Sequence, residues 1–441
     1  MQRTTRYDIP LRVSTSRIRE IAETCQSEFA LIYTKPTELQ WITHGLERML
    51  QVADYTGAAM LYADHFASSD GVVSPAPVID LQEGALRDDF EFGGVQLYRM
   101  SALREAVSRM EVDYDYAGLY DLRLKVSQKG SVVRIPEYLY FEVELDTRKS
   151  GEKQFDYVDP RNRAVQIEME KACTQHLKDV SAYLEPVFKD VDLSEGDFKY
   201  EASVVIPCKN RVRTIADAIR SALDQKTNFP YNVIVVDDNS TDGTVDVIKS
   251  IDDPRLIYIA QPEGYHAIGG NWNAAINHPD CGRFALQLDS DDVYSGPDTV
   301  QKFVDAFREQ NCAMVIGTYR ITDFNLNELP PGVIDHREWT PENGRNNALR
   351  INGLGAPRGF WTPLLRKVAF PAVKYGEDYA VALRISREYQ IGRIWDVLYN
   401  CRRWDDNSDA ALDVEKVNLN NIYKDRIRTW ELQARKKIFA D

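Results

Sequence analysis

The chain has 441 residues, which is enough for two or three domains and excludes a peptide or a single small domain. Its composition, 44% hydrophobic and 28% charged, is that of a folded globular protein and excludes a disordered chain. Acidic residues outnumber basic ones by 68 to 54, and the net charge of −14 argues against a nucleic-acid partner, because phosphates require a basic surface.

Cysteine spacing and hydropathy indicate the cellular location. The six cysteines stand far apart and form no CxxC pair, which is typical of reduced thiols in the cytoplasm. The first ten residues lack the apolar run of a signal peptide, and no stretch of 18 uncharged apolar residues follows. We therefore expect a cytoplasmic protein whose contact with a membrane would be peripheral, at the inner face.

The N-terminal third of the chain repeats a pattern that recurs near the C-terminus. Three segments align at a similar offset: 28–31 (EFAL) with 283–286 (RFAL), 59–62 (AMLY) with 313–316 (AMVI), and 116–127 with 375–386. We predict that residues 1–144 form a partial copy of the second half of a domain at residues 200–410. Too few residues precede Phe29 to supply two further strand–helix units, so the first half of that domain is missing or vestigial in the copy.

Residues 145–199 have the composition of a connector. A charged, turn-rich beginning is followed by an amphipathic helical pattern near residues 166–183 and by the acidic run at 190–198 (DVDLSEGDF). The pattern predicts a connector with one amphipathic helix between two lobes.

From residue 200 onwards, short apolar runs alternate with helical patterns. Buried strands are predicted at 202–207 (ASVVIP), 233–236 (VIVV), 256–259 and 284–288, with helices at 212–223 and 272–276 between them. This alternation predicts an α/β fold, a mostly parallel sheet flanked by helices and Rossmann-like. In such a sheet, functional residues lie at the carboxyl ends of the strands.

Three acidic clusters occupy the predicted strand and helix ends: residues 236–244 (VDDNSTDGT), 288–292 (LDSDD) and 376–378 (GED). Each alone has a structural explanation, namely a capped turn, a solvated loop and a helix cap. Carboxylates as closely spaced as those of LDSDD repel one another, however, and they suit a divalent cation that also takes phosphate oxygens.

In order and spacing, these clusters resemble the family 2 inverting glycosyltransferases, which have the A-type nucleotide-sugar fold. The resemblance covers roughly residues 200–410, from VVIP through the three clusters to residues 401–404 (CRRW). It implies a metal-dependent enzyme that moves a sugar, with inversion, from a UDP-sugar to a hydroxyl of a saccharide or lipid-linked acceptor in cell-surface polysaccharide synthesis. Residues 1–144 would then be a degenerate partial glycosyltransferase-like domain.

The resemblance also implies roles for individual residues. Asp378 would be the catalytic base, and the DXD motif formed by Asp289 and Asp291 would hold a divalent cation, Mg²⁺ or Mn²⁺. Donor-binding roles fall on Pro207, Asp237, Asp238, Asp289, Asp292, Arg402, Arg403 and Trp404. The candidates for acceptor binding are Phe360, Trp361 and Glu377.

The sequence departs from the family at residues 269–276 (GGNWNAAI). Family members often carry an arginine or lysine where this chain has Trp272. Lys209, Arg211 or Arg403 would then have to supply the missing charge. The tryptophan itself either packs in the core or stacks on a sugar or base.

The N-terminal copy lacks the acidic residues. The alignment places Thr34, Pro36 and Thr37 opposite the aspartates of LDSDD, and Gly118 and Leu119 opposite Glu377 and Asp378. We therefore expect the copy to be folded but unable to transfer sugar.

The apolar spacing in residues 411–441 predicts a terminal helix. One face of this helix would carry Ile427, Trp430, Ala434 and Ile438, with basic residues around that face. Such a helix either packs on the domain or contacts an anionic membrane.

Two other functions remain open at this point. A sugar nucleotidyltransferase needs a glycine-rich basic loop after its first strand, and residues 207–211 (PCKNR) contain no glycine. A non-catalytic scaffold would not need the intact set of aspartates. The expected partners are a nucleotide-sugar donor and a saccharide or lipid-linked acceptor, and self-association is left open.

Overall fold

A computed structural model of the chain describes residues 3–36, 39–69, 71–143, 145, 156, 159–261, 267–404 and 412–438. Contacts divide the chain into two compact units. The first unit comprises Met1–Tyr183, Leu349–Asn352 and Ala411–Asp441, and the second comprises Leu184–Ala348 and Gly353–Ala410.

The described residues form sixteen strands and thirteen α-helices. The strands are β1 (Thr4–Asp8), β2 (Phe29–Tyr33), β3 (Leu39–Trp41), β4 (Met60–Ser69), β5 (Val72–Ala76), β6 (Val95–Arg99), β7 (Val132–Val143), β8 (Ala202–Cys208), β9 (Tyr231–Asp237), β10 (Leu256–Ala260), β11 (Phe284–Gln287), β12 (Val293–Tyr294), β13 (Met314–Thr322), β14 (Glu328–Ile334), β15 (Arg358–Trp361) and β16 (Ile391–Arg402). The helices are α1 (Thr15–Thr24), α2 (Gly45–Thr56), α3 (Met100–Val107), α4 (Gly118–Ser127), α5 (Arg163–Asp179), α6 (Ile215–Leu223), α7 (Thr244–Lys249), α8 (Ile268–Ile276), α9 (Thr299–Gln310), α10 (Gly344–Asn347), α11 (Thr362–Val368), α12 (Glu377–Ser386) and α13 (Val414–Ile438). Within the described ranges, every helix is too short or too polar to cross a membrane.

The second unit is built on a nine-stranded sheet with the order β10-β9-β8-β11-β15-β13-β16-β12, and β14 pairs with β13. Strands β10, β9, β8 and β11 are parallel, and β13 and β16 run in the same direction as these four. Six of the nine strands therefore point one way, which confirms the predicted mostly parallel α/β fold. The apolar runs of β8 and β9 are buried along their whole length, as strands covered on both faces must be.

The sheet of the first unit has seven strands in the order β1-β2-β6-β4-β7-β3, and β5 pairs with β4. The sheet of the second unit has the same order once β9 and β10 are removed, with β8, β11, β15, β13, β16 and β12 in the equivalent places. The registers agree as well, since Met60 pairs with Tyr98 as Met314 pairs with Phe360. The first unit thus fits a partial repeat. The likeness begins one strand earlier than the sequence alignment, because β1 occupies the place of β8.

Two positions equivalent to the acidic clusters, Thr34 and Gly118, are closely packed in the first unit, whereas Pro36 is exposed. Thr34 lies just after β2 and its hydroxyl donates to the carbonyl of Gly93 at 3.4 Å. A β-carbon on Gly118 would lie 2.6 Å from the backbone of Ser14, so this position has no room for a glutamate side chain. Thr37 lies outside the described residues. That the copy cannot transfer sugar stays a prediction.

The amphipathic helix predicted in the connector is α5, and the predicted terminal helix is α13. Both belong to the first unit. Residues on the predicted apolar face of α13 do not share one environment, because Ile427 is buried whereas Trp430 and Ile438 are more than half exposed. Membrane contact by this helix stays a prediction.

Charged side chains are buried inside the first unit. The guanidinium of Arg350 is fully buried and donates to Asp88 at 2.9 Å. Asp425 on α13 is also fully buried and accepts from Arg87 at 3.2 Å and from Arg428 at 2.8 Å. Pairing of this kind is necessary because burying an unpaired charge in a low-dielectric interior costs roughly several kcal/mol of stability. Ionic contacts thus contribute to holding the segment Leu349–Asn352 and helix α13 in the first unit.

We predict that Asp88→Ala will destabilise the first unit by about 3 kcal/mol, because it leaves the buried Arg350 without its carboxylate. The matched control is Asp8→Ala, which removes the exposed Arg6–Asp8 pair of the same unit and should cost less than about 1 kcal/mol. Urea denaturation of the full chain measures both changes. Equal losses of stability would contradict this view of the buried network.

Candidate active site

A cleft of about 390 Å³ opens in the second unit where β8, β9 and β11 end. Of the thirteen residues to which the sequence analysis gave catalytic, metal-binding, donor-binding or acceptor-binding roles, nine line it: Pro207, Asp238, Asp289, Asp291, Asp292, Phe360, Glu377, Asp378 and Arg403. Four others do not line it: Asp237, Trp361, Arg402 and Trp404. Because parallel strands bring their carboxyl ends to one edge of a sheet, segments up to about 200 residues apart in sequence converge there.

The LDSDD loop follows β11, and three hydrogen bonds fix its first aspartate, Asp289. Gln287 donates its side-chain amide to both carboxylate oxygens of Asp289, at 3.0 and 3.1 Å. The backbone N–H of Asp289 donates to the hydroxyl of Tyr399 at 3.0 Å. Burial raises the pKa of Asp289 and raises that of Asp292 well above its ordinary value, and the charge of Asp291 raises both further. Burial and the charge of Asp291 therefore disfavour ionisation of two carboxyl groups of the loop, those of Asp289 and Asp292.

The two aspartates after β9 have different surroundings. Asp237 is buried away from the cleft, where it accepts from the backbone N–H of Ser240 at 3.1 Å and contacts the thiol of Cys208 at 3.7 Å. Asp238 lines the cleft and accepts from the ammonium of Lys209 at 3.3 Å. Asp237 thus shapes the turn, whereas Asp238 is placed to meet a ligand.

Glu377 and Asp378 stand in the first turn of α12, after Gly376. The φ of Gly376 is +78°, a left-handed conformation that favours glycine and reverses the chain into the helix. Asp378 accepts from the backbone N–H of Tyr379 at 2.6 Å and pairs with Arg358 at 2.5 Å. Burial, together with the neighbouring Asp378, raises the pKa of Glu377 to about 8. Glu377 is therefore protonated at neutral pH.

The CRRW segment (residues 401–404) at the end of β16 holds the LDSDD loop through hydrogen bonds from Arg402. The backbone N–H of Arg402 donates to Asp292 at 2.7 Å, and its guanidinium donates to the carbonyl of Asp291 and to Asp217 at 3.0 Å. Arg403 lines the cleft. A donor-binding role for Arg402 stays a prediction, as does one for Trp404, whose ring lies 5.8 Å from that of Phe324.

Trp272 both packs and lines the cleft. It stacks on Phe370 at 5.1 Å and meets the edge of Phe360 at 5.7 Å, and it is buried. Phe360 lines the cleft as well, whereas Trp361 points to the other face of β15 and is buried there. Lys209, Arg211 and Arg403 all line the cleft, and that they supply the charge missing at position 272 stays a prediction.

The charges of the cleft indicate what it can hold. Among the described residues that line it, six carry carboxyl groups (Asp238, Asp289, Asp291, Asp292, Glu377 and Asp378) and four are cationic (Lys209, Arg211, Arg358 and Arg403). No three His, Cys, Asp or Glu side chains of the described chain are arranged to hold a metal ion by themselves. The hard oxygens of Asp289 and Asp291 nevertheless fit Mg²⁺ or Mn²⁺, since Mg²⁺ is usually held by one or two carboxylates together with substrate phosphates.

Sequence analysis missed several residues of the cleft. Arg358 and Gln287 bridge the acidic groups, and the side-chain oxygen of Asn271 is buried at the cleft with no hydrogen-bond partner in the described part of the chain. None of these residues stands in an acidic cluster. Gln287, inside the predicted strand at 284–288 and next to LDSDD, is the one of the three whose sequence position could have pointed to it.

We predict that Glu377→Gln will stabilise the protein more as the pH rises. The carboxyl of Glu377 stays protonated up to a pH near 8 in the folded chain but ionises above about 4.5 when the chain unfolds, so the native state loses stability between these values. Glutamine does not ionise, so the difference in Tm between variant and wild type should grow from pH 5 to pH 8. An exposed control, Glu309→Gln, should show no such trend, and a difference that is independent of pH would contradict the assignment.

Comparison with known proteins identifies the family of this region. Residues 203–397 match the family model described as glycosyl transferase family 2. The curated relatives include a poly(ribitol-phosphate) beta-glucosyltransferase of Bacillus spizizenii strain W23, 23% identical over 54% of this chain and 38% of its own length. They also include a UDP-Glc:alpha-D-GlcNAc-diphosphoundecaprenol beta-1,3-glucosyltransferase of Escherichia coli, 38% identical over 21% of this chain and 36% of its own length. The chain spans less than half the length of these relatives.

Solved structures show weaker likeness. S. aureus TarS 1–349 in complex with UDP-GlcNAc is 22% identical and matches 53% of this chain and 72% of its own, with a TM-score of 0.41. The mannosyltransferase PcManGT of Pyrobaculum calidifontis, in complex with GDP-Man and Mn²⁺, is 17% identical and matches 65% of this chain and 86% of its own, with a TM-score of 0.39. The assignment depends on the sequence matches instead. Residues 203–397 of this chain are a family 2 glycosyltransferase domain.

Proposed function

We propose that the protein is a metal-dependent, inverting glycosyltransferase that moves a sugar from a UDP-sugar to a hydroxyl of a saccharide or lipid-linked acceptor. The main support for this proposal is that the LDSDD loop and Asp378 line one cleft, although about 86 residues separate them in sequence. The names of the two glucosyltransferase relatives support a role in cell-surface polysaccharide synthesis.

The donor end of the cleft is the edge that Asp238, Lys209 and the LDSDD loop form. Asp238 offers a carboxylate to the hydrogen-bond donors of a base or ribose. Asp289 and Asp291 would hold Mg²⁺ or Mn²⁺, whose charge stabilises a leaving diphosphate when it is bound. Arg211, which lies 3.6 Å from Asp291, and Arg403 add positive charge near the same loop. An anionic donor can thus enter a cleft that has an excess of carboxyl groups.

The acceptor end is formed by α12 and β15. Asp378 is the group placed to take the proton of an acceptor hydroxyl while its oxygen attacks the anomeric carbon from the side opposite the diphosphate. Glu377, protonated at neutral pH, can donate a hydrogen bond to the acceptor but cannot accept a proton from it. The aromatic ring of Phe360 offers a surface on which a sugar ring can stack.

Two observations favour a transferase over the alternatives. A nucleotidyltransferase binds a triphosphate, and the segment after β8 that would cradle it contains no glycine and keeps Lys209 paired to Asp238. A scaffold without activity would gain nothing from buried carboxyl groups whose ionisation is disfavoured.

A panel of nucleotide sugars tests the proposal directly. The full chain is incubated with UDP-glucose, UDP-GlcNAc, UDP-galactose or GDP-mannose and Mn²⁺, and the release of nucleoside diphosphate is measured with water as acceptor. We expect release from at least one UDP-sugar. Consumption of a nucleoside triphosphate with a sugar phosphate would instead indicate a nucleotidyltransferase.

We predict that Asp378→Asn will lower turnover by roughly a hundredfold or more, because the amide keeps the shape of the side chain but cannot accept the proton. Affinity for the donor, measured by calorimetry, should change little. Asp246→Asn, an exposed position on α7 away from the cleft, is the matched control. Loss of donor affinity with unchanged turnover would place Asp378 in the donor pocket instead.

We predict that Asp291→Ala will abolish both transfer and Mn²⁺-dependent binding of UDP while the protein stays folded. The reason is that the variant lacks the carboxylate that would bind the cation to the protein. Circular dichroism tests the fold, and Asp298→Ala, an exposed aspartate outside the cleft, serves as control. Full activity of the Asp291 variant in the presence of a chelator would contradict the role of the loop.

A further inference from the structure

A single arginine connects the two acidic ends of the cleft. Arg358 is the first residue of β15, and its guanidinium donates to three acceptors. One terminal nitrogen pairs with Asp378 at 2.5 Å, the other donates to the side-chain oxygen of Gln287 at 2.9 Å, and Nε donates to the carbonyl of Leu354. The side chain is 12% exposed, so these contacts compete little with water.

Gln287 continues the connection to the LDSDD loop. Its oxygen faces Arg358 while its nitrogen donates to both oxygens of Asp289. The charges at the two ends fix this orientation, because the flipped amide would set its NH₂ group against a guanidinium and its oxygen against a carboxylate. A continuous chain of hydrogen bonds therefore runs from Asp378 through Arg358 and Gln287 to Asp289.

We propose that Arg358 is a positioning residue that orients Asp378 directly and Asp289 through Gln287. The proposal rests on the proposed function, which takes Asp378 as the base and Asp289 as a cation ligand. A planar guanidinium holds two acceptors at a fixed angle, which a single ammonium cannot do. The carboxylate of Asp378 is thereby held from two sides, by Arg358 and by the N–H of Tyr379, before an acceptor enters.

The chain of hydrogen bonds can be cut at different points. Gln287→Leu removes the donor to Asp289 but keeps the pair between Arg358 and Asp378. Arg358→Gln cuts both arms. Arg358→Lys keeps a positive charge for Asp378 but lacks the fork that also reaches Gln287.

The test measures two quantities on the full chain. Calorimetry gives the affinity for UDP in the presence of Mn²⁺, which does not depend on turnover, and release of UDP from the nucleotide sugar that is active in the panel gives turnover. The matched control is Arg283→Gln, an arginine of similar exposure that pairs with Glu201 at 3.3 Å and does not line the cleft. Thermal unfolding confirms that each variant is folded, and Gln287→Leu keeps the proposal testable if an Arg358 variant is not.

We expect Arg358→Gln to weaken Mn²⁺-dependent UDP affinity about tenfold, as loss of a residue that orients a metal ligand does, and to lower turnover by a further factor of about ten to a hundred. Arg358→Lys should recover most of the turnover but not the affinity. Gln287→Leu should weaken affinity alone, and the double variant Gln287→Leu/Arg358→Gln should bind UDP no more weakly than Arg358→Gln.

Three results would overturn the positioning role. These are an affinity in the double variant that equals the product of the two single losses, equal effects of Arg283→Gln, or wild-type affinity and turnover in Arg358→Gln. Failure of the proposed function looks different, because the wild-type protein would then release no diphosphate from any nucleotide sugar and would bind no UDP with Mn²⁺.

Discussion

Mutual repulsion among carboxyl groups at one edge of a sheet is the constraint on which the rest of the cleft depends. Asp289, Asp291 and Asp292 are held within four residues, and burial with this repulsion raises the pKa of two of them. Positively charged side chains offset part of the negative charge of the cleft, because Arg358 pairs with Asp378 and Arg211 lies 3.6 Å from Asp291. A divalent cation that binds together with an anionic donor would offset the remaining repulsion between the carboxyl groups. Such a cation would explain how an acidic protein can use an anionic substrate.

The sheet supplies the rigidity that such crowding requires. Strands β8, β9 and β11 are buried and parallel, so the loops that follow them are anchored at the same edge. The hydroxyl of Tyr399 and the backbone of Arg402, both on β16, hold the LDSDD loop through hydrogen bonds. The first unit repeats this order of strands without β9 and β10, and close packing at Gly118 leaves no room there for a glutamate side chain. The two units thus share one order of strands but differ in the residues at the strand and helix ends.

Much of the cleft could be predicted from sequence because its acidic residues follow apolar runs with strand periodicity. Asp238 and the LDSDD loop were found in this way, whereas Pro207 and Asp378 came from the family resemblance, and the structure brings all of them to one cleft. The partners of these residues could not be predicted. Arg358 lies 71 residues from Gln287 in sequence, and the antiparallel pairing of β15 with β11 brings the two side chains together. In the same way, the pairing of β16 with β12 brings the backbone of Arg402 to the LDSDD loop, a contact that its sequence motif does not predict.

Anomalous X-ray diffraction from a crystal grown with UDP and Mn²⁺ tests the central claim most directly, because it locates the cation independently of any activity. If the LDSDD loop binds the cation, we expect a manganese peak at about 2.0–2.6 Å from carboxylate oxygens of the loop, with the diphosphate of UDP on the other side of the peak. UDP bound in the cleft with no cation between it and Asp289 or Asp291, or a manganese peak at a different site, would contradict the account.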